Sequence, residues 1–245
     1  RDDNYGGTVE NRARLMVEIV RAIRAAVGPD LPIIIRLDAK EYRVENGITP
    51  DDFIAVARLA QEAGVDAIDV SAYSDTQKGI AFTEAPLVHQ PSAYVPFSER
   101  VKRELDIPVI AVGRIELDSA AKDIANNKYD FLGLGRKLIA DPELPNKSAA
   151  GMAQSIRPCI YCYICVSQIF INKPMLCAVN TDVGREYQGD LIASSTDRGR
   201  HFAVVGGGPG GMEAARLLAI AGHRVTLFEK EPQLGGTARI AALAY

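Results

Sequence analysis

The sequence predicts an α/β protein with parallel strands, and three observations carry the prediction. Short apolar runs alternate with helix-type segments from residue 11 to residue 136. The run Val204-Val205-Gly206-Gly207-Gly208-Pro209-Gly210-Gly211 follows one strand candidate and precedes a helix and a second strand. All four cysteines lie between these regions, from Cys159 to Cys177. Strands alternating with helices at this spacing pair in parallel through crossover connections.

Each element has its own signal. Leu15, Met16, Ile19, Val20, Ile23 and Val27 form an apolar stripe that predicts a helix over 11–27, ended by Gly28. Pro32–Leu37 is a β-branched apolar run that reads as a buried strand. Thr49-Pro50-Asp51-Asp52 is a helix start with an N-cap, an early Pro and acids in the first turn; that helix ends at Gly64. Asp66–Ser71, Ile107–Val112 and Tyr129–Leu134 are the next strands, and Phe97–Leu105 and Asp118–Asn126 the helices between them. Polar residues follow the strand ends at Arg36, Ser71, Gly113-Arg114 and Gly135-Arg136. Sites built at the C-terminal ends of parallel strands are those of a (β/α)8 barrel. Residues 1–150 are therefore expected to be the C-terminal half of a TIM barrel, residues 151–200 a cysteine segment and linker, and residues 201–245 the first βαβ of a dinucleotide-binding domain. The chain lacks an initiator Met, and a half-barrel exposes an apolar edge, so a fragment of a longer protein is expected.

Composition narrows the function. Of 245 residues, 47% are apolar and 24% charged, with a net charge of −3; no polybasic surface for nucleic acid is expected. No apolar run reaches the roughly 18–20 residues of a membrane span. The N-terminus is polar and unlike a signal peptide, so a cytoplasmic chain is expected. Cysteines spread to staple loops would suggest disulfides; clustered cysteines read as a metal site.

The cysteine spacing is C-x2-C-x2-C-x11-C over Cys159, Cys162, Cys165 and Cys177. Three close thiolates and a distant fourth suit a 4Fe-4S cluster. Ile160, Ile164, Val166, Ile169 and Phe170 are expected to wrap it and exclude water. Zinc and unligated buried cysteines are the alternatives. G-x-G-x-x-G at Gly206, Gly208 and Gly211, with Glu229 about 20 residues on, lets a backbone approach a pyrophosphate while the acid accepts from ribose hydroxyls. Gly235-Gly236 offers a second close backbone approach, and a tight turn without ligand is the alternative. Arg36 could face a flavin N1/O2 edge or pair with Asp69. Gly113-Arg114 and Gly135-Arg136 fit a phosphate site or ordinary barrel ion pairs. His201 and His223 read as surface residues, and His89 as a solvated loop residue with some reach toward a substrate.

Arg1-x-Asp3-x-Tyr5-Gly6-Gly7-Thr8-x-Glu10-Asn11-Arg12, the strand Ile34-Ile35-Arg36, Val112-Gly113-Arg114, Gly133-Leu134-Gly135-Arg136 and Cys159-Ile-Tyr-Cys162-Tyr-Ile-Cys165 together resemble the multidomain branch of the old yellow enzyme family. That branch includes 2,4-dienoyl-CoA reductase, trimethylamine dehydrogenase and NADH:flavin oxidoreductases. The resemblance implies FMN in the barrel, a 4Fe-4S cluster beside it, and FAD or ADP in the following domain. It implies Arg36 near the flavin N1/O2 edge, and Gly113, Arg114, Gly135 and Arg136 around the FMN phosphate. It departs in one loop. The dienoyl reductase carries a His after the strand ending at Ser71, whereas Ala72-Tyr73-Ser74-Asp75 stands here, leaving Tyr73 and Asp75 as substitute acids. The expected activity is NAD(P)H-dependent flavin oxidoreduction: hydride to FAD, single electrons through the cluster to FMN, then transfer to an unsaturated small molecule. An amine dehydrogenase with reverse electron flow, or a truncated module binding metal and nucleotide without catalysis, is the alternative. A homo-oligomer is compatible with all of these.

Overall fold

The computed structural model describes residues 3–74, 90–188 and 198–244. The chain divides into two compact units, Arg1–Tyr163 and Ile164–Tyr245.

In the first unit, α1 (Val9–Val27) starts where Thr8 accepts from the Asn11 amide and stops at Gly28, whose φ of 77° suits glycine. After β1 (Ile34–Tyr42), α2 (Pro50–Ala63) opens with a capping box: Thr49 Oγ1 accepts from the Asp52 amide and Asp52 Oδ2 from the Thr49 amide. Such a cap contributes about 1 kcal/mol. β2 (Ala67–Ser74), α3 (Val95–Lys102), β3 (Val109–Ala111), α4 (Leu117–Ala125) and β4 (Phe131–Leu132) complete the repeat. The four strands are parallel and in sequential order, β1-β2-β3-β4, as in a barrel wall. β4 is shorter than the expected Tyr129–Leu134 run, yet its neighbours still follow β3: the Asp130 amide donates to Val109 O and the Gly133 amide to Ala111 O.

Val20, Phe53, Ile68, Val70, Val109 and Ile115 belong to one buried cluster between sheet and helices. Arg24 ties α1 to the β2 entry through Gly64 O and the Asp66 carboxylate, which also accepts from the Ile33 amide. The apolar stripe forms the expected helix, but only part of it is covered. Met16 and Val20 pack inward with Ala13 and Val17, but Leu15, Ile19, Ile23 and Val27 are exposed. The apolar arc of α1 is wider than its contact with α2 and the sheet, so periodicity alone does not say which side is covered. Past β4 the chain turns at once into α5 (Arg136–Ala140) and then α6 (Leu144–Ala149), two short helices the pattern did not predict.

The second unit begins with α7 (Ile164–Phe170). β5 (His201–Val205), α8 (Pro209–Ile220) and β6 (Arg224–Phe228) form a parallel βαβ, followed by α9 (Thr237–Ala241). Both sheets are parallel, as the alternation predicts. Among the described residues, no helix is long and apolar enough to cross a membrane.

Candidate functional site

Beside the strands of the first unit lies a cavity of about 380 Å³, within the range of small-molecule sites. Arg36, Gly113, Arg114, Gly135 and Arg136, all singled out from the sequence, line it together. The turns after β3 and β4 explain how. Gly113 has φ 105° and Arg114 φ 56°, so the chain reverses tightly and places the arginine beside the cavity. A Cβ on Gly133 would sit 2.7 Å from Val112 Cγ1, so glycine there lets the two turns approach.

Arg36 lies inside β1 rather than at a strand end, because β1 continues to Tyr42. Its Nη1 donates to Asp69 Oδ2 at 3.0 Å and its Nη2 to the buried Ser71 Oγ at 3.0 Å. The carboxylate pairing weighed in the sequence is thus present, and Arg36 still borders the cavity. Asp69 Oδ1 is buried with no hydrogen-bond partner among the described residues. Burial pushes the Asp69 carboxyl above its usual range, and Arg36 opposes the shift. Asp38, further along β1, is also raised by burial, with Ser71 and Arg36 acting against it.

Asp69, Lys137 and Tyr161 line the cavity as well. The guanidinium of Arg114 lies 4.9 Å from the Tyr161 ring and that of Arg136 5.2 Å; Arg136 also lies 4.7 Å over the Tyr163 ring. The Tyr161 hydroxyl donates to Glu116 Oε1 at 3.3 Å, and Glu116 holds Lys137. Burial is the main cause that raises the Tyr161 hydroxyl pKa, and the Glu116 carboxylate adds to it. Sequence reading passed over Tyr161, since neither of its arginine neighbours is close to it along the chain. Two concentrated cations, glycine turns and a cavity of this size fit a phosphate-bearing flavin.

Tyr73 is paired with Glu41 at the end of β2, while Asp75 and His89 lie outside the described residues.

The four cysteines form no disulfide: Cys165 is buried, Cys159 and Cys177 partly so, and Cys162 exposed. The Tyr161 amide donates to Cys159 Sγ at 3.4 Å, a bond that suits a thiolate. Cys159 and Cys162 belong to the first unit and Cys165 and Cys177 to the second. Among the described residues, no group of three His, Cys, Asp or Glu side chains gathers as a metal holder. The donor chemistry of the four thiols suits an iron–sulfur cluster. The expected apolar wrapping also needs correction. Val166 is buried, but Ile160, Ile169 and Phe170 are exposed.

In the second unit, Gly206 has φ 105° and Gly208 caps α8. A Cβ on Gly211 would lie 1.8 Å from Gly206 O, so strand and helix can meet there only through glycine. The Gly235 amide donates to Gly207 O at 2.7 Å, and a Cβ on Gly236 would lie 3.1 Å from Gly208 Cα. Gly235-Gly236 therefore packs on the glycine turn itself. Glu229 accepts from the Glu231 amide at 2.9 Å and the Gly207 amide at 2.6 Å, and these bonds hold its carboxyl below the usual range. It stays ionised beside the turn. His201 is exposed, as expected, and pairs with Thr226, whereas His223 is partly buried and packs edge-on against Phe202.

Comparison with known proteins agrees with this picture. Residues 204–243 match the NAD(P)-binding Rossmann-like domain. An NADH oxidase from Thermoanaerobacter brockii is 42% identical over 250 residues, covering 99% of this chain and 37% of its own length. A cinnamate reductase from Clostridium sporogenes is 35% identical over 253 residues, covering 96% of this chain and 37% of its own. A solved 2-naphthoyl-CoA reductase in complex with 2-naphthoyl-CoA superposes with a TM-score of 0.87 at 32% identity, over 96% of this chain and 36% of that one. The chain thus spans little more than a third of the length of these relatives. Residues 1–155, which contain the whole arginine-lined cavity apart from Tyr161, match the NADH:flavin oxidoreductase / NADH oxidase family, and the chain belongs to that family.

Proposed function

We propose that this chain is a cofactor-bearing part of an NAD(P)H-dependent flavin oxidoreductase of the ene-reductase type, acting on an unsaturated small molecule. The cavity at the β3 and β4 turns carries the reading, because it gathers Arg36, Arg114, Arg136 and two glycine turns at one place. Residues 1–150 would hold FMN, residues 151–200 a 4Fe-4S cluster, and residues 201–245 the adenosine diphosphate part of FAD or ADP itself.

The residues have separable tasks. Arg114 and Arg136 neutralise the phosphate of FMN, with the Gly113 and Gly135 turns making room for it. Arg36 places a cation beside the isoalloxazine ring, which stabilises negative charge there, and Asp69 moderates that charge. Gly206, Gly208 and Gly211 admit the pyrophosphate of the dinucleotide, while Gly235-Gly236 braces the turn and Glu229 accepts from the ribose. Cys159, Cys162, Cys165 and Cys177 supply thiolates, and the Tyr161 amide stabilises charge on Cys159 sulfur. A cluster held by these thiolates supplies one-electron transfer between carriers that accept two. The C-x2-C-x2-C-x11-C spacing and the thiolate-directed amide support this assignment.

Cofactor content after anaerobic purification tests the reading. Flavin, iron and acid-labile sulfide together, with flavin bleached by NADH or NADPH, are expected. Absence of both flavin and iron would refute it, and one equivalent of zinc in place of iron would remove the electron-relay part.

A further inference from the structure

We propose that Tyr161 is a positioning residue that sets Arg114 and Arg136 for the phosphate monoester, and that it does so from the cysteine loop. The proposal rests on the phosphate reading of the cavity. Two guanidinium groups close to one ring repel each other. The negative face of the Tyr161 ring offsets that repulsion and holds both near it, at 4.9 and 5.2 Å. Without the ring that offset is lost, and a bound phosphate would meet two guanidinium groups set less closely beside each other.

The backbone supports a purpose beyond packing. Tyr161 has φ 52° and Tyr163 φ 63°, left-handed values that bulky side chains rarely adopt. Glycine would take them without strain. Two aromatic residues keep them here, and both rings are engaged with the same arginine, Arg136. Strain of this kind persists where surrounding contacts over-determine it, and such places concentrate at binding sites. The Tyr161 hydroxyl is anchored on Glu116, and its amide reaches Cys159 sulfur. Any displacement of the Cys159–Cys162 loop therefore displaces the ring on which the arginines rest.

Riboflavin, which is FMN without its phosphate, separates this role from a general one. Flavin-fluorescence titrations would compare FMN and riboflavin on the wild-type chain, Tyr161→Phe and Tyr161→Gly. The glycine variant removes the ring and relaxes the positive φ, so the loop keeps its path. FMN affinity is expected to fall about tenfold in Tyr161→Gly, as the loss of two cation–π contacts predicts, while riboflavin affinity stays unchanged. Tyr161→Phe keeps the ring and is expected to bind FMN as the wild type does. Undiminished FMN binding by Tyr161→Gly would overturn the proposal. Equal losses for FMN and riboflavin, or a phenylalanine variant as weak as the glycine one, would also overturn it. A wild-type chain that binds riboflavin as tightly as FMN would instead refute the phosphate reading beneath it.

Discussion

Arg36 and Asp69 face each other across the β1–β2 register, with Arg36 Nη1 donating to Asp69 Oδ2 at 3.0 Å beside the cavity. Burial raises the Asp69 pKa, so its ionised form costs stability above that pKa and its neutral form does not. Arg36 limits the cost. Replacing it with Ala should raise the Asp69 pKa further and destabilise the first unit by about 1 kcal/mol at neutral pH, a value discounted because Arg36 is half exposed. The penalty should shrink toward pH ~4, near the unfolded carboxyl pKa, where Asp69 is increasingly protonated in both states. Arg36→Ala/Asp69→Asn should recover most of the loss. Urea melts at the two pH values measure this; a penalty independent of pH would show that the ion pair is not its source.

Asp141 titrates the other way. Burial alone would raise its pKa, but Lys147 at 2.7 Å and the amides of Arg157 and Glu143 outweigh burial and hold it below the usual range. Its contribution is present above the unfolded value of about 3.9 and is lost as pH falls through the lower folded value. Asp141→Asn should cost about 2 kcal/mol near pH 7 and progressively less in acid. Because Asp141 holds the Arg157 amide two residues before Cys159, the variant should also speed alkylation of Cys159.

The two adjacent glycines Gly210 and Gly211 make a paired test in the second unit. A Cβ on Gly211 would lie 1.8 Å from a carbonyl oxygen, whereas one on Gly210 meets nothing within 4 Å. Gly211→Ala should abolish ADP binding in calorimetry and lower the melting temperature, and Gly210→Ala should leave both nearly unchanged. Equal behaviour of the two variants would contradict the close approach of α8 to Gly206.

Tyr129 carries a buried hydroxyl with no hydrogen-bond partner among the described residues, and burial pushes its pKa up to about 12. Removing an unsatisfied buried polar group is neutral to favourable. Tyr129→Phe is expected to stabilise the first unit by about 1 kcal/mol, read as a raised denaturation midpoint at unchanged slope. A destabilised variant would mean that the hydroxyl has a partner in solution.

The legible parts of the chain are those governed by local rules. Thr49-Pro50-Asp51-Asp52 announces α2 because a capping box needs only four consecutive residues. The 206–211 turn is readable because Gly206, with its positive φ, and Gly207 and Gly211, with their close neighbours, answer local steric demands. Arg114 and Arg136 were found because they follow strand ends, which parallel strands bring to one side. The α1 stripe announces its helix, but which of its residues are covered is not legible, because Leu15 and Val20 are equally apolar and only the width of the neighbouring surface decides. Tyr161 was missed for a different reason. Its partners lie on two separate turns, and a ring shared by two cations leaves no trace in spacing.

The exposed residues Leu15, Ile19, Ile23 and Val27 recur every fourth position and so line a single side of α1. In a preparation of this chain alone, that ridge is an adhesive. It will retain the protein on phenyl or butyl resins, more strongly as sulfate is added, and it will draw copies together as concentration rises. Glutamate at Leu15 and Ile23 would shorten that retention without touching the packed side of the helix, making the arginine-lined cavity easier to study in solution.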